Sequence, residues 1–392
     1  MTQKRTKMKL GTQLILLVFC TAGFVRCKKD STVDATPTAT LTGTIPTKGT
    51  NLATTTTTTP YDITKSLPSG YKTDGSVDYT TYLQKAINTY SNITFPAFPI
   101  MVDDAGLVVG SNKTITFLPG SKLILKPTAN GNYNIINILM ATNVTLNNPV
   151  IVGDRYKHLG TTGEWGQGIA INGSVNVTIN SPNVTNCWGD GIFLRQKGGI
   201  NNQNITIKNA YCKYNRRNGI GVTNAIGLDL ESPYAAYCDG ANPWTGIDIE
   251  PASDTDEIQK ITINNPVTEH NVGNGISVGF KNLFGGPNKI ISVQINNPAD
   301  KSSAVAFHCT AILSQQVGTE TVTGPVNVAN PFWRRNTNTP ITTNLLVKTI
   351  KLSISNPTVQ DINGTALTDA QILSLFTYKT HINREANYSL TF

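Results

Sequence analysis

One repeat constrains this chain more than any other feature. An apolar residue followed two or three positions later by a turn residue and usually proline recurs as Leu146–Pro149, Ile179–Pro182, Leu230–Pro233, Ile263–Pro266, Ile295–Pro298, Val328–Pro331 and Ile354–Pro357. Ile207–Ala210 fills the same slot without the proline, and the eight starts are 23 to 33 residues apart. A second marker keeps step with the first: Ile169, Ile192, Ile220, Ile247 and Ile276 each follow a glycine. From Ile179 to Ile192, Ile207 to Ile220 and Ile263 to Ile276 the gap is 13 residues each time. Two markers locked in phase mean that one structural unit is used over and over.

Inside each unit lie short alternating stretches such as Asn176–Ile179, Asn204–Ile207 and Lys260–Ile263. Alternation bounded by Asn, Gly and Pro predicts strand, turn, strand. Since no helical pattern of 10 to 15 residues separates the strands, each must pair in parallel with its counterpart in the next unit. A charged fraction of only 14%, against roughly a quarter in ordinary globular chains, also disfavours a helical bundle. The expectation is an all-β fold, a right-handed parallel β-helix of about nine or ten rungs. Its inner face is built from Ile and Val, with Ile169, Ile192, Ile220, Ile247 and Ile276 forming one stack.

Such a solenoid has open sheet edges at both ends that need covering. Val77, Tyr82, Leu83, Ala86, Ile87 and Tyr90 recur at helical spacing, predicting an amphipathic capping helix over 77–90. Thr368 and Asp369 are placed to start a last helix running through Phe376. The stretch Thr73-Asp74-Gly75-Ser76-Val77-Asp78 before the first helix, together with the rungs, resembles the pectate lyase-like β-helix superfamily, in which an Asp-Gly-x-x-Asp turn precedes the cap helix. The resemblance covers nearly all of 70–360. It implies the fold and leaves the reaction open, because that superfamily holds lyases, hydrolases, epimerases and proteins without catalysis.

The N-terminus predicts export. Residues 1–13 are basic and polar, and Leu14–Val25 is an apolar run too short to span a bilayer of about 30 Å. Residues 1–27 therefore read as a signal peptide, with two routes of processing. Small residues at Cys20-Thr21-Ala22 suit ordinary cleavage, whereas Cys27-Lys28-Lys29-Asp30 resembles the start of Bacteroidetes lipoproteins and makes Cys27 the acylated residue. Residues 28–60 follow as a Thr-rich tether, with 14 Thr in 31–60 and too little apolar surface to order itself. The expected domain is 61–392, a monomer of the cell envelope or outer-membrane surface held to a membrane only by the N-terminal lipid, or otherwise periplasmic or secreted. The net charge is +8, but five of the cations precede Cys27 with no acid among them. The remaining +3 excludes nucleic acid as the evident partner. Cys187, Cys212, Cys238 and Cys309 form no C-x-x-C pair and read as buried hydrophobes rather than zinc ligands or a disulfide.

In a solenoid, chemistry collects where turns lengthen. Leu146 to Ile169 and Leu230 to Ile247 span 23 and 17 residues against the usual 13. These insertions, 153–167 and around 237–244, flank one face. That face gathers Asp154, Arg155, His158, Glu164, Asp190, Arg195, Arg216, Arg217, Asp239, Asp248 and Glu250, with Trp165, Trp188 and Trp244. Aromatic rings beside carboxylates and guanidiniums suit a sugar polymer. Inward Ile247 and Ile249 send Asp248 and Glu250 outward together, about 6.6 Å apart at Cα. The pair can serve as acid and base, can bind Ca²⁺, or can be held in static pairs by Arg195, Arg216 or Arg217. Asp190, two rungs away, is the third catalytic candidate, with Arg195, Arg216, Arg217, Lys281 and the three Trp as substrate-binding residues. His158 and His270 read as hydrogen-bonding turn residues. The polygalacturonase Asn-Thr-Asp, Asp-Asp and His-Gly pattern is absent, as are a phosphate loop, H-E-x-x-H and G-x-S-x-G. The expected function is degradation of a polysaccharide by hydrolysis or elimination. A surface carbohydrate binder or adhesin using the same face, or a purely structural solenoid, is the alternative.

Overall fold

A computed structural model describes residues 59–311, 322–345, 349–379 and 388–392. The predicted signal peptide, Cys27 and nearly all of the predicted tether lie outside the described residues. Three parallel sheets wind around one core. The first has 13 strands, the second 10 and the third 9, so the chain makes about nine turns. Each coil runs first sheet, second sheet, third sheet, as in Thr142–Asn147, Val150–Val152 and Trp165–Asn172.

The register of the two repeats is the register of the sheets. In the third sheet Ile169 pairs with Ile192, Ile192 with Ile220, Ile220 with Ile247 and Ile247 with Ile276. The stack continues through Ile136 and Leu107 on one side and Phe307 and Ile341 on the other. All are buried, each contributing about 1.5–3 kcal/mol relative to an exposed side chain. In the first sheet Leu146, Ile179, Ile207, Leu230, Ile263, Ile295, Val328 and Ile354 pair in unbroken order.

The turn residue ahead of each proline, and ahead of Ala210 in the slot without one, has a defined task. Asn148, Ser181, Asn209, Ser232, Asn265, Asn297, Asn330 and Asn356 all adopt φ of 50–53°, the left-handed region that Asn tolerates better than most side chains. There the chain swings from the first sheet to the second. Asn side chains at this corner also bond between rungs, Asn356 donating to Asn330, Asn330 to Asn297 and Asn297 to Asn265. Inside the other corners polar ladders satisfy buried amides: Asn202 accepts from Ser174 N–H, Asn224 from Asn202 N–H, and Asn215 from Cys187 N–H. Cys187, Cys212, Cys238 and Cys309 are buried and free.

Helix α1 spans Thr80–Thr89. It starts three residues later than the apolar spacing predicts because Asp78 accepts hydrogen bonds from the Thr80 N–H and hydroxyl. Leu83, Ala86 and Ile87 are buried, while Val77, Tyr82 and Tyr90 remain exposed. Gln84 bonds both backbone groups of Val108, on the edge strand of the third sheet. Helix α2 spans Asp369–Lys379, beyond the predicted end at Phe376. Thr368 and Gln371 bond reciprocally at its start, a capping box. No helix among the described residues is long and apolar enough to cross a membrane.

Candidate functional site

A cleft of about 440 Å³ lies along the outer side of the third sheet. Asn132, Asn134, Trp165 and Gln167 line one end; Phe193, Arg195 and Arg217 the middle; Glu250–Ser253, Asp256 and Asn282 the other. A smaller recess adjoins it, bounded by Phe193, Arg217, Gly221, Thr223 and Glu250, and Asp248 forms part of its wall. Gly221 makes that recess. A Cβ there would lie 2.3 Å from Asp190 Oδ2 and 3.1 Å from the Phe193 ring.

The strand Ile247–Ile249 places Asp248 and Glu250 as the alternation requires, on the side away from the Ile stack. Their environments nonetheless differ. Glu250 has a side chain 54% exposed. Asp248 is only 3% exposed, because the flanking segments cover the sheet's outer face. Asp190 is wholly buried. Arg217 ties the carboxylates together: Nη1 donates to both oxygens of Asp190 at 3.1 and 3.3 Å. Its Nη2 lies 3.5 Å from Glu250 Oε2, and its Nε lies 3.9 Å from Glu164 Oε1.

Burial pushes the Asp190 carboxyl up to about 6, with the Arg217 charge pulling the other way. Burial, reinforced by the Glu250 charge, pushes Asp248 up to about 7. For Arg217, burial opposes the charge, but Asp190, Asp248, Glu250 and Glu164 together hold its pKa above the ordinary value. Two buried acids raised toward neutrality, one half-exposed carboxylate and one cation thus meet where the recess adjoins the cleft. That combination can give and take protons near neutrality.

The predicted face separates into two groups of residues. Trp165, Arg195, Arg217 and Glu250 line the cleft. Trp165 is 52% exposed, and the Arg195 Nε donates to Asn172 Oδ1 at 3.0 Å. No carboxylate among the described residues lies within ion-pair distance of Arg195.

The second group builds the wall. Trp188, expected as an open platform, is 9% exposed, with the His158 ring stacked at 3.8 Å and the Arg216 guanidinium 3.9 Å from its centroid. Arg216 donates to Gly163 O, and His158 Nδ1 bonds Asp154 Oδ2, which is further held by the Thr128 N–H. Asp154 Oδ1 accepts from Tyr133. Arg155 pairs with Asp239, joining the two insertions that lie between the second and third sheets. These contacts hold in place the segment ending at Trp165. Trp244 is half-buried in the second insertion, outside the cleft lining. Lys281 is exposed; its neighbour Asn282 lines the cleft instead. His270 stacks on Tyr237 and lies 3.6 Å from Glu269. Among the described residues no three His, Cys, Asp or Glu are grouped to hold a metal ion.

Sequence reasoning passed over Gln167, Phe193, Asn218 and the wall at 251–256. The wall had a signal: 16 residues separate Ile247 from Ile263 and 19 separate Ile276 from Ile295, against 10 from Ile169 to Ile179. Lengthened returns to the first sheet bound the cleft, opposite the insertions that the 13-residue interval exposes.

No family model matches the chain. Two Bacillus subtilis proteins are similar in sequence. The uncharacterized protein YclG is 27% identical over 249 residues, covering 55% of this chain and 42% of YclG. The SPbeta prophage-derived uncharacterized protein YorA is 30% identical over 165 residues, covering 37% and 28%. The chain therefore spans less than half the length of the curated relatives it matches. Among solved structures, the A-module of mannuronan C-5 epimerase AlgE4 from Azotobacter vinelandii is 15% identical with a TM-score of 0.51, covering 84% of this chain and 94% of the module. The AlgE6 A-module from the same organism is 16% identical with a TM-score of 0.51, covering 85% and 98%. Tailspike gp49 of Acinetobacter baumannii bacteriophage Fri1, a capsular polysaccharide depolymerase, is 14% identical with a TM-score of 0.50, covering 84% and 63%. At these identities the likeness is one of fold: the chain is a parallel β-helix protein.

Proposed function

We propose that this protein binds a polysaccharide in the cleft and cleaves its glycosidic bonds by acid–base hydrolysis. The observation that carries the reading is the pair on one strand, a buried Asp248 raised to about 7 and a half-exposed Glu250. Asp248 is the general acid: its proton goes to the bridging oxygen as the bond to the anomeric carbon breaks. Glu250 takes the proton of the water that attacks that carbon. Trp165 offers an exposed ring to a sugar face, and Arg195 offers a guanidinium to hydroxyl or acidic groups. Arg217 holds Asp190 and Glu250 in ion pairs, and its charge favours the ionised form of Asp190. The fold-level neighbours, a polysaccharide epimerase and a depolymerase, support carbohydrate as the class of partner.

One observation favours a second reading, a non-catalytic binder: Arg217 already engages Asp190 and Glu250 in ion pairs. A panel of uronic-acid and neutral polysaccharides separates the readings. New reducing ends without ultraviolet absorbance establish hydrolysis. Reducing ends with absorbance from unsaturated sugars replace it with elimination, and binding without either leaves the binder. The proposed setting is outside the cytoplasm, in the cell envelope, with Cys27 as the acylated residue. Mass spectrometry of the mature N-terminus tests this, and an unmodified chain beginning elsewhere than Cys27 refutes the anchor.

A further inference from the structure

We propose that Asn218 is a positioning residue that determines which oxygen of Asp248 carries the acid proton, an inference that rests on the hydrolytic reading above. Asn218 is wholly buried on the rung between Asp190 and Asp248. Its backbone N–H donates to Asp190 Oδ1 at 3.0 Å. Its side-chain Oδ1 accepts from the Thr245 N–H at 3.1 Å. A backbone N–H can only donate, so this contact fixes the amide's orientation. The Nδ2 must then face Asp248, and it lies 3.3 Å from Oδ2.

A neutral carboxyl has one carbonyl oxygen and one hydroxyl, and the carbonyl oxygen is the better acceptor. Donation from Asn218 therefore marks Oδ2 as the carbonyl and leaves the proton to Oδ1. The other groups facing this carboxyl are the Arg217 guanidinium, the Glu250 and Asp190 carboxylates and the Ser277 hydroxyl. Among them, Asn218 alone touches both buried acids with fixed donors. The residue thus ties the two acids into one unit without itself titrating or lining the cleft.

The test uses the full chain with Asn218→Asp and Asn218→Leu. Asn218→Asp keeps an acceptor for Thr245 and loses the donor to Asp248; Asn218→Leu removes both. Loss of the donor removes support for the ionised form of Asp248, so its titration should move to higher pH. The readout is carboxyl ¹³C NMR of labelled aspartate, with the Asp248 signal assigned by its absence in Asp248→Asn. On a cleaved polysaccharide, kcat should fall at least ~10-fold with little change in KM, because the acid is misplaced rather than the substrate released. The alkaline limb of the pH profile should move in the same direction as the NMR titration. An Asp248 titration and limb unchanged in a folded Asn218→Asp variant would overturn the proposal and leave Asn218 a structural amide. Should Asn218→Leu fail to fold, Asn218→Asp alone decides. If the wild-type protein cleaves no polymer, the hydrolytic reading falls, and the NMR titration still decides whether Asn218 governs the Asp248 proton.

Discussion

Two columns of outward side chains run along the same solenoid and have opposite fates. On the first sheet the column Thr145, Thr178, Thr206, Asp229, Thr262 and Gln294 is in register rung by rung, and every member is exposed or half-buried. On the third sheet the equivalent column is Ala170, Phe193, Gly221, Asp248 and Ser277. Four of these five are buried although they point away from the core. The strands are alike; the turns are not. Uniform corners leave the first sheet open to water, where its polar side chains need no special partners. Lengthened turns on both sides of the third sheet cover it, and the cover desolvates Asp190 and Asp248. In a repeat protein the regular part holds the coil, and the irregular part creates the electrostatics.

The contrast can be broken most severely from the inside. Ile220→Asp places an unpaired carboxylate in the Ile stack and should abolish cooperative folding of the solenoid, since desolvating such a group costs several kcal/mol. Thr178→Asp, on the outward column of the first sheet, should change stability by no more than about 0.5 kcal/mol. Urea unfolding followed by circular dichroism compares the two, and similar losses would disprove the inside–outside assignment.

The next effect is on activity. Asp248→Asn and Glu250→Gln keep shape and should each lower the rate at least ~10²-fold, the ordinary scale of acid–base catalysis. Full activity in both, measured as reducing ends, would remove the pair from the mechanism. Gly221→Ala is expected to cost less, roughly 10-fold, because the added methyl must displace Asp190 Oδ2 at 2.3 Å and so disturb the partner of Arg217. Wild-type kinetics in a folded Gly221→Ala protein would show that the recess has no part in the reaction.

The smallest effect is on the pH dependence of stability. Asp190 and Asp248 have folded values raised to about 6 and about 7, above the ordinary carboxylate value of 3.8. Between those limits the folded state binds more protons than the unfolded one, so stability falls as pH rises through that window. Their contribution is fully present below the unfolded value and lost above about 7. Thermal unfolding of wild type and Asp248→Asn from pH 4 to 8 checks the sign: the variant should show a shallower decline. A steeper one would mean that Asp248 is ionised when folded.

Local chemistry explains how much could be read from the chain. Inward Ile and Val at a fixed interval have only one way to be buried together, which is to stack in parallel, so the five Ile markers announced the third sheet and its register. Asn or Ser before proline announced a corner, because a left-handed residue is needed at that point in every coil. Asp248 and Glu250 were legible as outward neighbours for the same reason, since alternation is a property of the strand itself. Their different burial was not, because it depends on 251–256 and on insertions from other rungs folding over the sheet. Trp188 shows the same limit: its composition suited a sugar platform, but His158 and Arg216, from other parts of the chain, occupy its two sides. Asn218 carried no signal beyond its place in the repeat; its importance comes from Thr245 and Asp248 arriving from the next coil. Sequence by itself determined the coil, its register and the direction of each side chain, because these follow from periodicity and backbone preference. Only the tertiary structure decided which outward groups lose water, which carboxylates share Arg217 and where the cleft opens, because desolvation and charge coupling are set by what other segments bring within a few ångströms.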